Sequence, residues 1–135
     1  MSDEPLGVTK PAKTSVPTFY VGDSITLQIA TGKYRGQNPS PDVCRVRFTL
    51  KVDRYHDDPV FEAGWMTGVG VAAVPGVVRV HIPGTVTATL FSGSYEYAVT
   101  ATDNVGNHPQ TLNVGSFRLD LSPGSAHNQT PYEDL

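Results

Sequence analysis

Strict alternation of apolar and polar residues dominates the middle of the chain. In CRVRFTLKV, Cys44, Val46, Phe48, Leu50 and Val52 fall on one face, and Arg45, Arg47, Thr49 and Lys51 on the other. That pattern predicts a half-buried strand. TFYVGDSITLQIA predicts another over residues 24–30, with Ile25, Leu27 and Ile29 inward and Gly22 and Asp23 turning into it. VFEAGWM reads as a short strand carrying Phe61 and Trp65, with Trp65 placed in the core. TGVGVAAVPG is apolar but glycine-rich, which fits either a loop or a thin edge segment. VVRVHI, TVTATL, YEYAVTAT and TLNVGSFRLDL complete the set. The result is about seven short strands with turn signals at roughly 8–12-residue spacing, the pattern of an all-β sandwich. No stretch has a 3.6-residue period.

The ends of the chain read differently. Residues 1–17 hold Pro5, Pro11 and Pro17 without periodicity, and proline fixes φ and removes a donor. They are expected to form an extended arm. Residues 122–135 read as an extended tail of the same kind. The sandwich is therefore assigned to residues 18–121.

The stretch LFSGSYEYAVTATDNVGN sharpens the fold. Leu90-x-x-Gly93-x-Tyr95-x-Tyr97-x-Val99-x-Ala101 resembles the tyrosine corner of fibronectin type III and bacterial immunoglobulin-like domains. In that arrangement the Tyr95 hydroxyl bonds to backbone a few residues upstream, and Gly93 lets the chain turn between the sheets. Tyr95, Tyr97, Val99 and Ala101 would face the core. TDNVGN resembles the hairpin turn that follows, with Asp103 and Asn104 capping it and Gly106 at positive φ. Gly93, Tyr95, Tyr97, Gly106 and Trp65 are the residues expected to determine the fold. The pattern departs from antibody domains, because Cys44 is the single cysteine and Trp65 lies well past the third strand.

A second resemblance reaches both ends of the sandwich. Gly22-Asp23 precedes an alternating strand, Gly93-x-Tyr95-x-Tyr97 precedes a hairpin, and Thr111-Leu112-x-x-Gly115-x-Phe117 closes the domain. This order is similar to the immunoglobulin-like domains of tailed-phage structural proteins, such as the N-terminal domain of baseplate upper proteins. The resemblance implies a virion component, in the tail, the baseplate or as a capsid decoration. Its implied partners are other virion structural proteins and copies of itself, met during assembly in the host cytoplasm.

Composition agrees with turns and strands rather than helices: 17% of the 135 residues are charged, with 13 Gly and 11 Pro. A net charge of −3 with scattered basic residues argues against nucleic acid as a partner. Arg45 and Arg47 read as a solvated face. One cysteine allows no internal disulfide, and its usual role is that of a small buried apolar side chain. The first residues carry no apolar signal core, and no run is long enough to span a membrane.

Chemistry is sparse. Gly-x-Ser-x-Gly and Gly-x-Gly-x-x-Gly are absent, and His56, His81, His108 and His127 are too dispersed for a zinc site. His81 alternates on a strand as a surface residue. Asp53, Asp57 and Asp58 could offer oxygen ligands to Ca²⁺, as could TDNVGN, but both read better as solvated turns. Asn128 opens a glycosylation sequon to which no export signal gives meaning. No enzyme activity and no cofactor are expected. The competing function is a ligand- or carbohydrate-binding adhesion module, with Tyr34, Arg35, Tyr55 and Trp65 as candidate stacking or hydrogen-bonding residues.

Overall fold

A computed structural model describes residues 17–52 and 58–121 of the chain. Its strands are β1 (Thr18–Tyr20), β2 (Ile25–Ala30), β3 (Arg45–Lys51), β4 (Phe61–Gly64), β5 (Val69–Val71), β6 (Val77–Ile82), β7 (Gly93–Thr102) and β8 (Gln110–Asp120). One helical turn, α1 (Gly84–Thr87), lies between β6 and β7. The strands form a five-stranded sheet ordered β1-β8-β7-β3-β4 and a three-stranded sheet ordered β2-β6-β5. β1 runs parallel to β8, and the other paired neighbours are antiparallel.

The core lies between the two sheets. Ile25, Leu27 and Ile29 of β2 and Val78, Val80 and Ile82 of β6 line it from the small sheet. Val46, Phe48 and Leu50 of β3, Tyr95, Val99 and Ala101 of β7, and Phe117 and Leu119 of β8 line it from the large one. Each Val, Leu, Ile or Phe side chain among them contributes about 1.5–3 kcal/mol when fully buried. A belt of aromatic contacts crosses the inner face of the large sheet. Phe19 of β1 meets Phe117 edge-on at 5.5 Å, Phe117 reaches Tyr97 at 6.4 Å, Tyr97 tilts against Phe48 at 5.6 Å, and Phe48 meets Phe61 at 6.2 Å. One ring from each of the five strands takes part, so the belt ties the sheet together across its width.

Three elements differ from the sequence expectation. TVTATL is not a strand: residues 84–87 form α1, and Thr87 at its end is fully buried. The β-branched residues there favour a strand. Tertiary contact overrides that preference, because the Thr87 hydroxyl accepts from the Gly22 N–H at 3.0 Å and reaches the Asp23 carbonyl at 2.8 Å. Gly84 allows this approach, since a Cβ there would stand 2.6 Å from the Gly22 carbonyl oxygen. The second difference is β1, three residues long and too short for alternation to reveal. The third is Val52, which lies past the end of β3 and is exposed. TGVGVAAVPG supplies the short edge strand β5.

β8 also breaks period two. Val99 pairs with Asn113 but Thr100 pairs with Thr111, so Leu112 is an extra residue. The bulge lets Leu112, Phe117 and Leu119 all be buried although their numbers differ in parity.

Candidate functional site

Three regions carry the residues singled out in the sequence. The first is the start of β7. The Tyr95 hydroxyl donates to the Phe91 carbonyl at 2.5 Å, and its ring stacks on Phe117 with centroids 6.1 Å apart. Gly93 sits at φ 147 where the chain enters the strand. Burial pushes the Tyr95 and Tyr97 phenols above their ordinary range. Tyr97 is half-buried and lies across Gly115 on the neighbouring strand. A Cβ on Gly115 would stand 2.5 Å from Cζ of Tyr97, so only glycine fits beneath that ring.

The second region is the end of the sandwich where β7 turns into β8. Asp103 Oδ1 accepts from the N–H groups of Val105 and Asn107 at 3.0 and 2.8 Å, and Gly106 sits at φ 91. The bond from Asn107 is the main cause that holds the Asp103 carboxyl below the usual carboxylate range. Partial burial opposes it, while the Val105 bond and the charges of His108 and Arg35 add to it. His108 Nε2 lies 3.9 Å from Asp103 Oδ2. Asp103 thus spends one oxygen on its own turn, as expected of a capping residue rather than of a free Ca²⁺ ligand.

The adjoining loop, residues 31–44, corrects one binding candidate. Tyr34 is buried, and its hydroxyl donates to the His108 carbonyl at 2.9 Å. It pins one loop to the other and offers no ring for stacking. Arg35 is exposed at φ 50. Trp65 is half-buried against the core, and its Nε1 donates to the Cys44 carbonyl at 2.8 Å. Cys44 is fully buried, and burial pushes its thiol up, away from the reactive thiolate. Tyr55, Asp53, Asp57, His56, His127 and Asn128 lie outside the described residues, and Asp58 is exposed.

The third region is the outer face of the large sheet. Arg45, Arg47, Glu62, Thr67, Thr100 and Thr102 line one shallow groove. Arg45 is tied down, with Nη2 donating to the Asn104 carbonyl at 2.8 Å. Thr49, Lys51, Glu96, Ala98, Val114 and Ser116 line a second groove beside it. Val114 is 66% exposed there. On this face small side chains, Thr100, Ala98 and Ser116 among them, stand between the flanking charges of Arg47, Glu62 and Lys51. His81 is exposed on β6, in the other sheet.

Among the described residues, no three His, Cys, Asp or Glu side chains gather as a metal site. No described helix is long and apolar enough to cross a membrane. The residues that alternation did not single out are Thr87 and Gly84; the Pro83-Gly84 stop was their one visible signal.

No family model and no curated protein matches this chain. Among solved structures, the NK cell receptor Nkp44, a triggering partner in natural cytotoxicity, is similar over 81% of this chain and 100% of its own, at 11% identity and a TM-score of 0.41. The strand order itself defines the architecture. The second, sixth and fifth strands form one sheet, and the third, seventh and eighth form the centre of the other, with β4 added at one edge. That is the Greek-key order of the immunoglobulin sandwich, in which B, E and D pair in one sheet and C, F and G in the other. The chain is an immunoglobulin-like β-sandwich.

Proposed function

We propose that the chain is a non-enzymatic structural component of a tailed-phage virion, a rigid body that joins neighbouring subunits through its sheet surface and its terminal segments. One observation carries this reading. The three separated pieces of the phage-like pattern occupy the positions that hold the sandwich together. Gly22 and Asp23 are bound to Thr87, next to the turn that leads into the corner. Tyr95 and Tyr97 anchor β7. Gly115 and Phe117 on β8 receive those two rings. Two of the four candidate stacking residues of a carbohydrate-binding module, Tyr34 and Trp65, are instead engaged with backbone carbonyls, which lowers the appeal of that alternative.

The partners on this reading are other virion proteins and copies of the same chain, without nucleic acid, membrane or cofactor. Quantitative peptide mass spectrometry of gradient-purified particles tests it. The expected result is a fixed, many-copy ratio of this chain to the major particle protein. Presence in the lysate with loss from purified particles would overturn the reading, and saturable binding on a glycan array would then point to an adhesion module.

A further inference from the structure

Arg45 and Arg47 alternate on β3 with buried Val46, so both side chains are exposed on the outer face of the large sheet. Arg47 stands opposite Thr100 of β7 and Gly64 of β4, so a short side chain and a glycine flank it. It makes no hydrogen bond or ion pair among the described residues. Arg45 is held by its Nη2 bond to the Asn104 carbonyl, which uses one of its five N–H groups. Glu62, opposite Thr49, is the one carboxylate among the described residues that line the groove around Arg45 and Arg47, and it too is unpaired among them. Two turns form the lips of that groove, through Thr67 and Gly106. Each carries an exposed apolar neighbour, Met66 at 93% and Val105 at 75%. Met66 also holds φ at 71, an uncommon value for a side chain that packs on nothing in the core.

We propose that this groove binds an extended acidic segment of a partner protein, with carboxylates on alternate residues bonded to Arg47 and Arg45. Charge complementarity selects the partner. A guanidinium offers a planar fork that takes a carboxylate with two parallel bonds, and the Arg47 fork is unused. Spacing selects the conformation. Alternate residues of an extended chain lie about 6.8 Å apart, which is also the spacing of Arg45 and Arg47 along β3. Two carboxylates at alternate positions therefore meet the two guanidinium groups together. Glu62 sets the placement, because it repels a carboxylate at the level of Thr49 and confines the acidic pair to the Arg45–Arg47 end. Apolar residues that flank the pair in the segment rest on Met66 and Val105. Two guanidinium groups beside a carboxylate are too few to hold a nucleic-acid backbone. The shallow, open lining suits a polypeptide strand better than an enclosed small molecule. The inference adds a partner chemistry to the surface role proposed above and does not rest on it. Peptide binding can succeed for a chain absent from particles and fail for one that is present.

Fluorescence anisotropy with the full chain and a labelled peptide, Gly-Leu-Glu-Thr-Glu-Val-Gly, tests it at low salt. The expected result is saturable binding, at least about fivefold tighter than that of a control peptide with its two glutamates side by side, which point to opposite faces. Arg47→Ala should weaken binding at least about fivefold, and Arg47→Lys should restore only part of it. Glu62→Gln should tighten binding about twofold, an effect that a merely structural role for Glu62 does not produce. Arg47 and Glu62 are exposed, so these variants keep the fold. No saturation up to about 1 mM peptide, a weak limit for recognition, would overturn the proposal, as would equal binding of the control peptide or an unchanged affinity in Arg47→Ala. Inorganic phosphate that competes as well as the peptide would assign the groove to a small anion and overturn it. Dimers of the peptide-free chain that Arg47→Ala abolishes, read by sedimentation, would assign it to a second copy with the same consequence.

Discussion

The hydroxyl of Tyr95 donates to the carbonyl of Phe91 at 2.5 Å, four residues back along the chain. The bond ties the start of β7 to the segment that leads into it from α1. Phe91 contributes only its backbone, since its side chain is 88% exposed. Tyr95→Phe is therefore expected to lose about 0.5–1.5 kcal/mol, by removing one part-buried hydrogen bond. Phe91→Ala should stay within about 0.5 kcal/mol of the parent. Urea unfolding checks both, and the m-value should not change in either variant.

Gly115 and Tyr97 are a matched pair. Gly115→Ala should destabilise the sandwich by about 1–3 kcal/mol, because its Cβ would meet the Tyr97 ring and force it off its rotamer. In the Tyr97→Val background the same substitution should cost much less. A double-mutant cycle by thermal unfolding reads this coupling, and additivity would show that the clash is absorbed elsewhere.

Thr87 is the one fully buried polar side chain among the described residues. Its hydroxyl serves the Gly22 N–H and either the Asp23 or the Gly84 carbonyl, at 2.8 and 3.2 Å. Thr87→Val keeps the shape but leaves these groups unserved, which should cost about 1–3 kcal/mol. Thr87→Ser should retain most of the stability. Denaturant midpoints distinguish the hydroxyl's contribution from that of the methyl.

Asp103 gives the turn a pH dependence. Its carboxyl is held below the ordinary carboxylate value, chiefly by the Asn107 N–H. A depressed folded-state pKa contributes stability that is present above the unfolded value, about 3.9, and is lost as pH falls through the folded value. The stability advantage of the parent over Asp103→Asn should therefore hold at about pH 6 and shrink toward about pH 2. Unfolding curves of the two proteins across that range check the sign, and an advantage that grows on acidification would refute it.

Alternation made the sandwich legible because β2, β3 and β6 each have one buried and one exposed face. The corner was legible because Tyr95 and Gly93 stand at fixed spacing. Other features depend on contacts between residues far apart in the chain. Thr87 and Gly22 are 65 residues apart, and nothing local to TVTATL announces the bond that makes it helical. The bulge at Leu112 shifts the parity of β8 midway, so a single period could not describe that strand. Tyr34 looked like a surface ring because its loop is polar, yet its hydroxyl is needed at His108.

The central claim, that this immunoglobulin-like sandwich is built into a phage particle, is tested most directly by immunogold electron microscopy. The antibody is raised against the purified chain and applied to intact and partly disrupted particles. The account predicts gold at a fixed site, on the tail or baseplate for a tail part and over the head for a decoration protein. Particles that stay unlabelled in both states would contradict it.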